Sequence, residues 1–423
     1  MKIIVIGGGA AGFFGAITGA ETFPDHQVTV LEKSRHLLSK VRVSGGGRCN
    51  VTHAGSQPRQ FAQQYPRGNQ VMPSLLQQFD TARTVDWFEN RGVALKTEPD
   101  GRLFPVTDQS ETIIQCLVEA AQRAGVQIRT SCGLKAVTTQ PDPLPNEPRF
   151  WVHLLDDTVL AADRVLIATG GSPQAQGYDW LASLPPASPP IIQLPVPSLF
   201  TFHAPTSPLL ELAGVSVPKA TVKVEGTSLA QEGPLLLTHW GFSGPSILKL
   251  SAWGARALHE RQYRFTLLVN WLPHFHEEAL RGALVEMRRQ HPKKTVAAQA
   301  FSGEEAGRLP QRLWKKLVAQ AEIGEALRWA DLPNKNLSKL TEILTRSRFA
   351  VEGKSTYKEE FVTCGGVALS EIDPRTMESK HCPGLYFAGE VLDIDGVTGG
   401  FNFQSAWTTG YIAGKNLGAD SGQ

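Results

Sequence analysis

The chain has 423 residues, 41% of them hydrophobic and 19% charged, with a formal net charge of +2. That length predicts two or three domains rather than one core, and so small a net charge gives no electrostatic reason to expect nucleic acid or an anionic membrane. Five cysteines without a C-x-x-C pair argue against a disulfide framework or a zinc site and for a reducing, cytoplasmic setting. No apolar run approaches the ~18 residues of a membrane span, and the glycines at Gly7 to Gly9 interrupt what resembles a signal peptide, so the start reads as mature protein.

Lys2 to Ile6 is a β-branched run of the kind that forms a buried parallel strand. It leads into Gly7-Gly8-Gly9-Ala10-Ala11-Gly12, a G-x-G-x-x-G followed by residues that continue as a helix. Gly7 permits the tight turn, Gly9 lets backbone approach a pyrophosphate, and Gly12 lets helix and strand pack closely. The N–H groups of Ala10 and Ala11 open the helix that faces the anion. A second strand, Gln27 to Leu31, ends in Glu32, placed to take both hydroxyls of an adenosine ribose; Lys33 follows it. Together these predict dinucleotide binding.

Between Lys40 and Asn50 stand Ser44-Gly45-Gly46-Gly47-Arg48-Cys49-Asn50. Three successive glycines cost chain entropy unless the backbone must lie against something, so this stretch reads as a second loop of N–H donors with one guanidinium for a phosphate or flavin edge, or else as a surface turn with solvated basic residues. Cys49 beside it is either a redox thiol or a packed one. Residues 57 to 69 look irregular. Leu75 to Asn90 reads as one amphipathic helix, Asp100 to Pro105 as a turn presenting Arg102, and Asp108-x-x-Glu111 as a capping box opening a helix that ends at Gly125. Strands are expected at 126–129 and 132–137, with a hairpin at 150–162 across Asp156-Asp157. Residues 141–148 read as a loop. Arg164 to Ile167 reads as a buried strand ending in Ala168-Thr169-Gly170-Gly171, at the sheet edge where cofactors sit.

Proline density at 185–197 then marks a boundary. The expected organisation is a first segment over 1–190, an insert over 191–350 and a closing segment over 351–423. The insert reads as β-rich over 198–272 and helical over 276–348, with helices near 277–289, 311–323 and 337–346. In the closing segment, a strand over Gly384 to Glu390 is followed by a glycine turn, Thr398-Gly399-Gly400-Phe401-Asn402, and a helix from Ser405 to Leu417 whose small residues Ala406, Gly410, Ala413 and Gly414 permit close packing. The positive end of that helix dipole suits a flavin gaining negative charge.

These motifs resemble the BaiN-like flavoproteins, also called aminoacetone-oxidase-family FAD-binding enzymes, of the NAD(P)/FAD-dependent oxidoreductase superfamily. The Ser44 to Asn50 run and the Gly389-Glu390 to Gly400 turn are specific to that family, and the match spans nearly the whole chain. The resemblance implies an α/β fold: a glutathione-reductase-like Rossmann domain for FAD, interrupted by a β-barrel-like and helical module. It also implies Gly7, Gly9 and Gly12 at the pyrophosphate, Glu32 at the ribose, and Arg48 and Asn50 beside the cofactor. Val137 is implied near the adenine, Glu390 at the ribityl chain and Thr398 to Asn402 under the isoalloxazine. The family's longer glycine-rich loop is replaced here by the short Ser172 to Tyr178.

The expected activity is flavin-mediated hydride transfer to or from a small organic substrate, with NAD(P)H as a transient reductant. His239, Ser243 and Arg102 are the candidates on the substrate side, His239 either as a proton donor or as a hydrogen-bonded structural histidine. No metal cluster is expected, and oligomeric state is open. A rival reading gives the flavin a structural role and lets the insert bind RNA or a protein through Arg288, Arg289, Lys293, Lys294, Arg312, Lys315 and Lys316; nearby acids make these a solvated helix face instead. An enzyme using NAD alone has no need of the second, C-terminal glycine turn.

Overall fold

The computed structural model describes residues 1–55, 57–140, 147–172, 174–184, 190–303, 307–354 and 362–419. Most of the 141–148 loop and the start of the proline-rich 185–197 stretch therefore lie outside the described residues. Two compact units emerge, one of Met1–Pro197 with Lys358–Gln423, the other of Ser198–Tyr357.

The first unit is built on a parallel sheet in the order Leu385–Phe387, Arg164–Ile167, Lys2–Ile6, Gln27–Leu31, Gln127–Arg129. Its central strand is buried from Ile3 to Ile6, as a strand covered on both faces must be. The expected α/β Rossmann architecture is what forms. On one face the helix Ala10–Thr22 crosses the closing helix Phe401–Asn416 at glycine contacts. A Cβ on Gly410 would stand 2.6 Å from the Ala11 carbonyl oxygen, and one on Gly414 would stand 2.6 Å from that of Gly15. The closing helix starts at Phe401, earlier than expected, because Gly400 ends the turn. The strand Ile192–Ser198 pairs with Val362–Val367 within this unit, which carries the unit past the prolines.

Three local expectations are corrected. The helix expected over 75–90 is two, Met72–Gln78 and Thr81–Glu89, since Phe79 is extended and Asp80 caps the second by accepting from the Arg83 N–H at 2.9 Å. Asp108 opens no capping box: it sits at φ 53° and its carboxylate turns to Lys96 and Arg48, so the helix begins at Ser110 without a side-chain cap. Pro58–Ala62, read as irregular, is a short helix with proline in its first turn.

The second unit closes a barrel through the strands Phe202–His203, Gly241–Ser243, Ala230–Thr238, Ser216–Val224, Arg264–Asn270 and Ser347–Lys354. Alternate residues fill it, among them Val217, Val222, Val224 and Leu235. Helices at Glu277–Gln290, Gln311–Gln320 and Asn334–Arg346 match the 3.6-residue apolar period expected there. Pro245–Trp253 and Ala255–Glu260, within the stretch read as β-rich, are helical instead: Pro245 occupies a first-turn position after Gly244 at φ 95°, a start signal too short to show in a periodicity scan. Trp271, Trp314 and Trp329 are fully buried in this unit. No helix among the described residues is long and apolar enough to cross a membrane.

Candidate functional site

At the carboxyl end of the central strand, Gly7 turns at φ 116° and its N–H donates to the Leu31 carbonyl at 2.8 Å. A side chain there would meet the Ala168 carbonyl oxygen at 2.2 Å. Gly9 is the N-cap of the first helix, with no side chain capping it and no acid in the first turn. The space where its Cβ would stand is open to beyond 4 Å. Uncapped N–H groups, an open approach and a positive helix end make an anion cradle. Glu32 is aimed at this turn: its carboxylate accepts from the Gly8 N–H and the Ser34 N–H, both at 2.8 Å. Each oxygen keeps a lone pair for a hydroxyl. Lys33 points to solvent.

The second glycine loop leaves the helix Ser39–Gly47 through a kink: Ser44 is extended and Gly45 and Gly46 are left-handed. Open space faces Gly46 and Gly47. Arg48 lies 4.0 Å over the Phe104 ring and pairs with Glu98 at 2.7 Å and Asp108 at 3.5 Å, so its guanidinium is already engaged. Cys49 is fully buried, and burial pushes its thiol up to about 12, the position of a packed thiol and not of a redox one. In the orientation that satisfies its surroundings, the Asn50 amide donates to the Thr52 and Leu103 carbonyls and accepts from the Gly400 N–H at 2.9 Å. Asn50 thereby ties this loop to the start of the closing helix.

The third wall is the C-terminal turn. Glu390 receives Lys40 at 2.6 Å and the Thr363 N–H at 2.7 Å, and the Gly389 N–H donates to Thr409. Gly170 turns at φ 75° into open space, flanked by exposed Thr169 and half-buried Gly171. Asn402 closes the Thr398–Gly400 turn by exchanging two hydrogen bonds with the Gly396 backbone. Gly400 turns at φ 93° against Thr52, whose carbonyl carbon would be 2.5 Å from an added Cβ. No acid stands in the first turn of the closing helix.

Behind this wall sit groups that sequence reasoning missed. Tyr65 donates to the Phe401 carbonyl, the Val397 N–H donates to Gln64, and Arg67 grips buried Asp395 through both carboxylate oxygens. Gln404, also buried, accepts from the Thr52 and Thr84 hydroxyls and donates to Thr408. Val137 is buried and exchanges backbone hydrogen bonds with the Ser183 hydroxyl. Of the substrate-side candidates, Arg102 lies in the first unit and is paired with Glu98 and Asp100. His239 is exposed in the turn between the strands Ala230–Thr238 and Gly241–Ser243 of the second unit, and Ser243 is half buried on the latter.

The model of the HI0933-like protein Rossmann domain matches residues 1–416. A 3-dehydro-bile acid delta(4,6)-reductase of Clostridium scindens is 28% identical, covering 98% of both chains. A ribosomal RNA dihydrouridine synthase of Escherichia coli is 30% identical over 98% of this chain and 97% of its own. Among solved structures, a 3-ketosteroid-delta4-(5alpha)-dehydrogenase of Rhodococcus jostii covers 98% of this chain and 96% of its own at 14% identity and TM-score 0.49.

Proposed function

Because the chain belongs to the HI0933-like family of FAD-dependent oxidoreductases, we propose that it is a reductase of carbon–carbon double bonds conjugated with a carbonyl, drawing electrons from NAD(P)H. The observation that carries the reading is shared chemistry. A 3-dehydro compound with 4,6 double bonds is an extended enone, and uracil has its 5,6 double bond conjugated with the 4-carbonyl; the two relatives named for these reactions each saturate such a bond. Both acceptors take a hydride at the carbon remote from the carbonyl and a proton at the carbon beside it.

FAD, when bound, supplies the hydride-transfer chemistry. The residues present fit that group: the open cradle at Gly9 would take the pyrophosphate, Glu32 the ribose, and the space at Gly46, Gly47 and Gly170 the middle of the molecule. Glu390, held by Lys40 and Thr363, would meet the ribityl hydroxyls, and the Thr398–Asn402 turn would carry the flavin ring. Of the substrate-side candidates, Arg102, which belongs to the same unit as the cradle, is proposed to face the substrate.

The test is anaerobic. NADH or NADPH should bleach the yellow protein, and the reduced protein should regain its colour with a 3-oxo-4-ene steroid or with unmodified ribosomal RNA, the product gaining two mass units. Failure of every conjugated carbonyl to reoxidise it, while oxygen does so readily, would make it an oxidase and end this reading. The near-zero net charge of the whole chain hides an uneven distribution, since residues 198–357 carry 21 Lys and Arg against 14 Asp and Glu and the remaining residues 21 against 26, and this local excess gives an RNA acceptor an electrostatic handle beside the small one. Turnover of RNA that falls steeply between low and physiological salt supports it; turnover of the steroid alone rejects it.

Replacing Glu32 by Ala tests the ribose contact. Losing charge-assisted hydrogen bonds of about 1.5–3 kcal/mol should weaken FAD binding roughly ten- to a hundredfold, read by fluorescence titration of the apoprotein. Full occupancy in that variant places the ribose elsewhere.

A further inference from the structure

His53 ends the short strand Thr52–His53 and lies in space against the turn that would carry the flavin ring. Its Nδ1 stands 2.7 Å from the Ala54 carbonyl oxygen and its Nε2 stands 3.0 Å from the Asp100 carbonyl oxygen. A carbonyl only accepts, so each ring nitrogen needs a proton to satisfy its partner, and a neutral imidazole has one to give. The ring cannot turn away. It stacks on Phe401, the first residue of the closing helix, with centroids 4.8 Å apart and planes 21° apart. On another side it rests on Gly101, where a Cβ would stand 2.5 Å from His53 Cε1. A Cβ on Gly399 would be 3.5 Å from Cδ2, so the ring edge borders the glycine turn itself.

We infer that His53 is held as an imidazolium against the Thr398–Phe401 turn and acts as a positioning residue that favours reduced over oxidised flavin there. This rests on the reading that the flavin ring lies on that turn. Among the described residues no carboxylate pairs with the His53 ring. Arg102, opposite His53 in the antiparallel pair, is held by Glu98 and Asp100, so those two acids answer the arginine. Asp395, upstream of the turn, is answered by Arg67. The closing helix brings its positive end and no acid in its first turn. Two sources of positive potential therefore converge where a flavin gaining two electrons builds negative charge.

The experiment uses the FAD-loaded protein and two readouts. In the wild type labelled with 15N-histidine, both His53 nitrogens should show protonated shifts at neutral pH. In H53Q, which keeps one donor and removes the charge, the ratio of reduced to oxidised FAD affinity should fall about tenfold, a drop in midpoint potential of about 30 mV for a two-electron couple. A His53 nitrogen without its proton overturns the inference, whatever H53Q does or whether it folds. A doubly protonated ring with an unchanged potential in H53Q instead overturns the placement of the flavin on this turn. Both shifts together support the inference.

Discussion

An Arg67→Met protein is expected to lose about 3–5 kcal/mol of stability and to purify with little FAD. Asp395 is fully buried, the Arg67 side chain is 11% exposed, and the guanidinium meets both carboxylate oxygens. Removing the guanidinium leaves a carboxylate in a site that water does not reach, and desolvating a charge costs far more than the bond itself contributes. The pair also anchors one end of the turn proposed for the flavin, together with Tyr65 on Phe401 and Gln64 on Val397. Urea unfolding with and without excess FAD separates the two effects. The double variant Arg67→Met, Asp395→Leu should recover most of the stability, because two apolar groups of similar volume replace the pair without a stranded charge. A single variant within about 1 kcal/mol of wild type would show that the carboxylate is solvated or neutral.

This clamp also shows where the sequence stops being informative. The strand–turn–helix of the first fifty residues could be read because every part of it is local: a β-branched run, glycines at fixed offsets, an acid at the next strand end. The insert helices were readable through their apolar period, and the family motifs through their fixed spacing. Arg67 and Asp395 have no such signal. They meet through the fold, Arg67 sits in a stretch that looks like a polar excursion, and nothing in its neighbours marks it as buried. His53 is hidden for another reason, since its partners are backbone carbonyls, which every residue carries. Asp108 misled because the offset of a capping box says nothing about φ, and a left-handed aspartate paired with lysine and arginine cannot cap. The turn residues Gly399 and Gly400 were readable as permissive backbone, and the family motif places Asn50 beside the cofactor, but its hydrogen bond to Gly400 joins two stretches 350 residues apart and has no signal in either.

The same local legibility makes Gly12 the sharpest test of the cofactor site. A Cβ on Gly12 would stand 1.9 Å from the Gly7 carbonyl oxygen and 3.5 Å from Ala168 Cβ, so Gly12→Val cannot be accommodated by moving a side chain tip. The backbone of the first turn has to yield by more than an ångström, and with it the N–H groups of the cradle at Gly9. Strain of this kind costs about 1–3 kcal/mol in a packed interior, which the 423-residue protein should survive folded. The cradle should not survive. Its donors act on an anion through distance and direction, and a turn displaced by an ångström loses both. FAD affinity is therefore expected to fall at least a hundredfold, about 2.8 kcal/mol, leaving a colourless protein with the circular dichroism of the wild type. The outcome separates two roles of one glycine. If G12V unfolds, close packing of strand and helix is what the position serves; if it stays folded and yellow, the pyrophosphate lies away from this turn and the flavin enters by the second glycine loop alone.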